Sequence, residues 1–201
     1  MGFIEGLDAY LEKHYGQSIF SQNIASDTAF VIKIHGHETR NGRIVADKTY
    51  DVVIDDGSGT LETIPKVHIK YLYNAAAAAA VAPLLKMDAS VKAQGLAPIY
   101  APRDRHFIKN KSLFPLMQEK RVLFFTLLEG EVLRGIIGGF NRYEITLLLK
   151  GGHPIVILRH AVYDLRDKKM HCFLKSFQEK SRDWEQSPLY KNVVEEKGEA
   201  R

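Results

Sequence analysis

Residues 122–165 read VLFFTLLEGEVLRGIIGGFNRYEITLLLKGGHPIVILRHAVYDL, and their spacing decides the fold. The apolar residues fall in short runs, over 122–128, 132–139, 143–149, 154–159 and 161–165. The runs are rich in β-branched and aromatic side chains, and glycines separate them at Gly130 and Gly151-Gly152. Short β-formers bounded by glycine turns read as successive strands. Working outward, residues 30–73 repeat the pattern. Phe30, Ile32 and Ile34 alternate with Val31, Lys33 and His35, and Asn41-Gly42 and Asp55-Asp56-Gly57-Ser58-Gly59 supply turns.

The two stretches align. An offset of 93 sets Gly42 on Gly135, Ile44 on Ile137, Tyr50 on Tyr143, Asp51 on Glu144 and Ile54 on Leu147. A one-residue gap at the next turn then sets His68 on His160 and Tyr71 on Tyr163. Self-similarity at a long period marks a duplicated unit. The expected organisation is a first β unit over 1–73, a linker over 74–104, a second β unit over 105–175 and a helical, then disordered, tail over 176–201. Residues 3–15 carry apolar groups three and four apart, a helix ahead of the first unit. Residues 112–120 read as a helix ahead of the second, with Ser112 as N-cap and Pro115 in its first turn. Six alanines, Ala75 to Ala80, open a helical or irregular linker that Pro83, Pro98 and Pro102 interrupt. A last helix is expected after Lys168, through Trp184.

Charge and composition narrow the functional classes. The chain has 201 residues and a net charge of +4, but residues 105–175 hold 13 Lys/Arg against 6 Asp/Glu, while residues 28–73 hold 6 of each. A concentrated basic block suits a polyanion, whose condensed counterions it releases. A solvated basic surface is the plain alternative. One cysteine, Cys172, excludes an intrachain disulfide. No stretch is long and apolar enough to span a membrane, and no basic, then apolar, leader opens the chain, so a cytoplasmic protein is expected. His35-Gly36-His37 sets two imidazoles close together, but no third metal ligand is evident in the sequence. Gly57-Ser58-Gly59 lacks the strand-to-helix setting of a nucleophile elbow. No phosphate loop or dinucleotide fingerprint appears, so neither an enzyme nor a cofactor is expected.

Within the second unit, Lys120-Arg121-Val122 follows a short helix. Then come Gly130-Glu131-Val132-Leu133-Arg134-Gly135, Gly139-Phe140-Asn141-Arg142-Tyr143-Glu144 and Leu158-Arg159-His160-Ala161-Val162. These segments resemble the two signature tracts of the Hfq family, the bacterial branch of the Sm-like RNA-binding proteins. The resemblance covers about residues 112–168. It implies a helix followed by a five-stranded, strongly bent sheet, and hence a mainly β chain with flanking helices and two Sm-like small barrels in tandem. It also implies single-stranded, uridine-rich RNA as partner, a role in post-transcriptional regulation, and a homo-oligomeric ring, here of three two-barrel chains.

Carried over residue by residue, Tyr143 matches the base-stacking aromatic and Phe140 the first aromatic of its tract. Asn141 and Arg142 stand where the family has Asp and Gln. Arg159 replaces a lysine, and His160 matches the histidine beside it. Each has a structural alternative: Tyr143 and Phe140 as core, His160 bonded to a backbone carbonyl, the arginines as solvated charge. In the first unit Tyr50, Lys66, His68 and Lys70 form a weaker counterpart. The sequence departs from the family at the rim, where Met117 and Gln118 replace basic residues, and at the adenine-binding face, where Thr126, Val132 and Arg134 stand. These departures leave a second reading open, an Sm-fold interaction module without RNA.

Overall fold

A computed structural model describes residues 2–24 and 26–192. In chain order the elements are β1 (Phe3–Ile4), α1 (Leu7–His14), α2 (Ile19–Gln22), β2 (Ala29–Ile34), β3 (Glu38–Asp47), β4 (Asp51–Asp55), β5 (Leu61–Pro65), β6 (Ile69–Asn74), α3 (Ala78–Val81), β7 (Lys86–Met87), α4 (Ala89–Lys92), α5 (Asn110–Gln118), β8 (Leu123–Leu127), β9 (Glu131–Phe140), β10 (Glu144–Leu149), β11 (Pro154–Leu158), β12 (Val162–Asp167), α6 (Lys175–Ser181) and β13 (Tyr190–Lys191). The chain is mainly β, with antiparallel pairing throughout the main sheet.

That sheet runs β12-β8-β9-β10-β11-β6-β2-β3-β4-β5, with β7 added beside β9. The order divides into two identical halves. In each, five strands stand in the order fifth, first, second, third, fourth. The halves join where the fourth strand of the second, β11, pairs with the fifth strand of the first, β6, through Val156↔Leu72 and Ile157↔Tyr71. Neither half pairs its own fourth and fifth strands, so the described sheet is one open, continuous surface.

The repeat is closer than the sequence alignment suggested, and its register differs. Adding 93 carries β3 onto β9, both ten residues long, and β5 onto β11 and β6 onto β12 without a gap. Pairing registers agree: Ile34↔Ile69 and Lys33↔Tyr71 in one half become Leu127↔Val162 and Thr126↔Asp164 in the other. Lys66 therefore corresponds to Arg159, and His68 to Ala161 rather than to His160. The gapped alignment had matched two histidines at the cost of the strands. Both long strands also bulge at one equivalent point. Their pairing shifts between Ile44 and Ala46 in β3 and between Gly139 and Ile137 in β9. A bulge sharpens twist and bend, which lets one long strand serve two faces of a small unit.

The conserved glycine of the repeat has a steric cause. A Cβ at Gly42 would lie 2.6 Å from the Asp55 carbonyl oxygen, and one at Gly135 would lie 2.3 Å from that of Leu148. In both halves the neighbouring strand backbone crosses too close for any side chain.

Two cores lie under the sheet. The first half buries Phe20, Phe30, Ile32, Ile44, Val52, Ile54, Ile64 and Leu72, and Val156 and Leu158 of β11 complete it. The second half buries Leu113, Leu116, Leu123, Phe125, Leu133, Ile137, Ile145 and Val162, with Phe173, Leu174 and Trp184 packed on from beyond β12. Several sequence expectations are corrected. Phe3 and Ile4 belong to a strand that pairs with β13, and the helix begins only at Leu7. That helix serves the second half: the Tyr10 ring lies 5.4 Å from Phe114 and 4.8 Å from Phe140. The first half takes Phe20 of α2 instead. Helix α5 begins at Asn110, so Ser112 is a buried interior residue and Pro115 falls inside the helix. The linker packs down through Val81 and Val91, and Asp88 caps α4 by accepting from the Ser90 and Val91 amides. The expected disorder over 195–201 lies outside the described residues.

Gly42→Ala and Gly135→Ala are each expected to lower stability by about 1–3 kcal/mol through overpacking against backbone that cannot move alone. Urea unfolding measures this; an unchanged midpoint for both would show that the strands can separate there.

Candidate nucleic-acid interface

The site is built where the 3₁₀ turn after β11 meets the segment between the linker and α5. Residues 159–161 form that turn, so Arg159 and His160 leave the sheet side by side. Asn141 shapes the turn between β9 and β10. Its Oδ1 accepts from the amides of Tyr143 and Glu144 at 2.8 Å each, and its Nδ2 donates to Glu144 Oε2 at 2.7 Å. Asn141 is thus committed to backbone geometry. Its turn, and the Arg159 amide donating to the Tyr143 carbonyl at 2.8 Å, hold Tyr143 outward at 59% exposure. Glu144 is buried but satisfied, accepting from Ser18 Oγ and the Ile19 amide as well. Burial nonetheless raises its pKa.

Tyr143, Arg159 and His160 line one small cleft of about 50 Å³ with Arg105, His106, Phe107 and Ile108. The four additional residues come from the start of the second unit, just after the linker, a stretch to which the sequence assigns no role. The only signals there were the aromatic and basic residues in Arg105-His106-Phe107 themselves. Phe107 is 56% exposed, giving the cleft a second open aromatic. Arg105 is fixed by donating to the carbonyls of Ile99 and Tyr100, both at 3.1 Å. The Arg142 guanidinium lies over the Tyr143 ring, 5.2 Å from its centroid. Cation–π contact of this kind leaves the positive charge beside a stacking face.

Arg159 is largely buried. It donates to Asn110 Oδ1 at 3.0 Å and lies over the Phe140 ring at 5.4 Å, while its Nε and Nη2 have no partner. Burial holds its pKa down to about 10, so it stays charged at neutral pH. A buried guanidinium with two unpaired donors is uncommon and demands an acceptor or a reason. His160 Nε2 lies 3.0 Å from the Ile69 carbonyl oxygen, which can only accept, so that nitrogen carries the hydrogen. Ile69 belongs to β6, so His160 ties the halves together. Burial, helped by the Arg105 charge, pushes its pKa down to about 4. Phe140 is core, 4% exposed, with its amide and carbonyl both engaged by the Tyr10 hydroxyl. Phe140 and Asn141 are thus supports of the cleft rather than surfaces of it.

The first-half counterpart does not assemble. Tyr50 is 80% exposed, and among the described residues it joins no close ring pair. Lys66 pairs with Asp47 at 2.5 Å. His68 lies 2.6 Å from the Tyr100 hydroxyl. Lys70 is only 1% exposed and is bonded to Glu129 and Glu131 of the other half, so it is a structural cation withdrawn from any RNA. No family model matches the chain, and no curated protein matches it in sequence.

His160 sets a pH dependence. Its folded-state pKa lies below the usual histidine value of about 6.5. The unfolded chain therefore binds the proton first, and stability is full above pH ~6.5 and declines toward pH 4. Between those values His160→Gln, which keeps a donor for Ile69, should show a shallower decline in melting temperature than the parent. Parallel profiles would mean that His160 titrates normally.

Proposed function

We propose that the chain is a tandem Sm-like protein that binds single-stranded RNA, uridine-rich by preference, at the cleft of its second half, and acts in post-transcriptional regulation. The observation that carries this reading is the gathering of an exposed stacking tyrosine, a second exposed aromatic and three basic residues, Arg105, Arg142 and Arg159, at one site. Stacking faces flanked by positive charge suit single-stranded nucleic acid, with each stacked base worth about 1–3 kcal/mol. The shared strand order of the two halves, and the fourth-to-fifth strand pairing that joins them, support the Sm-like assignment. No helix among the described residues is long and apolar enough to cross a membrane.

The sheet ends bear on the expected ring. A ring of three chains would repeat the β11–β6 pairing between β5 of one copy and β12 of the next. The outer edge of β12 is already engaged, since the Asp167 amide donates to the His171 carbonyl and that of Phe173 to Leu165. Closure therefore requires that return segment to give way, and we take the single two-repeat chain as the RNA-binding unit. Sedimentation should return 22.8 kDa at micromolar concentration; three times that mass would restore the ring.

Fluorescence anisotropy with short oligo-U, oligo-A and oligo-C at low and physiological salt tests the binding. Oligo-U should bind most tightly, and Tyr143→Ala should weaken it by about tenfold or more, the loss of one stacked base. Absence of binding to all three oligonucleotides would instead favour the interaction-module reading, which the internally paired Lys66 and Lys70 of the first half already favour there.

A further inference from the structure

The junction between the halves holds a second cluster, away from the cleft. The β2–β3 turn of the first half carries His35-Gly36-His37, the β8–β9 turn of the second half carries Glu129, and β9 opens on Glu131. The sequence offered two imidazoles without a third ligand; the fold supplies two carboxylates from a segment more than ninety residues away. One ligand atom each from His37, Glu129 and Glu131 lies within 4.8 Å of the other two. His37 Nδ1 is 3.7 Å from Glu129 Oε2 and 3.9 Å from Glu131 Oε1, and His35 Nδ1 is 3.6 Å from Glu129 Oε1.

These separations are too long for hydrogen bonds. They are close to the spacing of neighbouring ligands around zinc, roughly 3.4 Å when each bond is about 2.0–2.2 Å at a tetrahedral angle. Two further observations point to a cation. The His35 side chain is 6% exposed, yet neither ring nitrogen has a hydrogen-bond partner, and Glu131 Oε2 is likewise buried and unpartnered. In addition, the Lys70 ammonium is bonded to both carboxylates, so a positive charge already stands in the cluster. A cavity of about 250 Å³, bordered by His37, Glu131 and Lys70, gives access from solvent.

We propose that His37, Glu129 and Glu131 form a three-ligand site for one zinc-like divalent cation, which on binding displaces the Lys70 ammonium from between the carboxylates, with the His35 imidazole standing against Glu129. The donor set of one imidazole and two carboxylates matches the ligand types of that ion and leaves a fourth position open. The Glu129 carboxylate also accepts from the Gly36 amide at 2.6 Å and the His37 amide at 3.2 Å, which fixes it against the histidine turn. The metal would engage the His37 imidazole, and it would clamp the two halves through ligands from both. Lys70 is then a built-in competitor that sets the affinity.

The test is titration of the untagged full chain with Zn²⁺ against a chromophoric chelator, with Co²⁺ absorption reporting coordination geometry. One ion per chain and a tetrahedral cobalt spectrum are expected. His37 has a left-handed φ of 58°, so His37→Gly removes the imidazole while relieving backbone strain, and it should fold. It should weaken binding by more than about tenfold, since even groups that only orient a ligand are worth about 10–100-fold. Lys70→Met should tighten binding by removing the competitor. No saturable Zn²⁺ binding by the parent chain, or binding that His37→Gly leaves unchanged, overturns the site. Folded Lys70→Met with unaltered affinity overturns the exchange.

Discussion

A β-strand at the edge of a sheet presents unpaired amide and carbonyl groups, and this molecule is organised around where that edge is satisfied. The fifth strand of the first half, β6, finds its second partner in β11. Edge pairing of this kind removes a site that otherwise recruits other chains. The join has only two residue pairs in register, but side chains reinforce it. Val156 and Leu158 enter the first core, His160 donates across to Ile69, and Lys70 reaches back to Glu129 and Glu131. Removing the pairing would expose an edge and also strand a buried lysine, two carboxylates and a neutral histidine away from their partners. Breaking one member of such a network leaves the others buried without compensation, which costs more than the intact network contributes.

The strands were legible because alternation with a period of two reflects one-face burial directly. Ile32, Ile44, Val52, Ile54 and their counterparts in the second half all lie in the core. The aligned glycines were legible for a different reason, since a close backbone crossing tolerates no substitute. Features set by tertiary choice were not. Nothing in residues 3–15 shows that Tyr10 will seek Phe140 across 130 residues instead of its own neighbouring strands. Lys70 sits in a strand that reads as a solvent-facing basic position, and its burial depends entirely on two glutamates brought in by the strand order. Matching His68 to His160 failed because residue identity was weighed above strand register.

The same tertiary choices divided the site residues. Phe140 and Tyr143 stand three positions apart, on either side of a turn that Asn141 closes. One therefore points into the core and the other stays in solvent. An alternating pattern cannot assign sides across such a turn, because the turn resets the alternation. Arg159 and His160 leave β11 together, but their partners differ. Arg159 turns to the helix residue Asn110 and His160 to the strand of the other half.

Duplication within one chain lets the two halves diverge where copies in a symmetric assembly cannot. The second half keeps a basic and aromatic cleft, and the segment between the linker and α5 supplies Arg105, His106 and Phe107 to it. The corresponding region of the first half has the same strands and turn, yet its lysines are drawn into ion pairs with Asp47, Glu129 and Glu131. A lysine engaged with carboxylates offers little counter-charge to a phosphate, so the neutral balance of residues 28–73 becomes physically effective only through these contacts. The fold is repeated and the electrostatics are not. One half of the sheet therefore serves chiefly as the rigid partner that positions the other, with the buried ion cluster at their junction fixing the geometry between them.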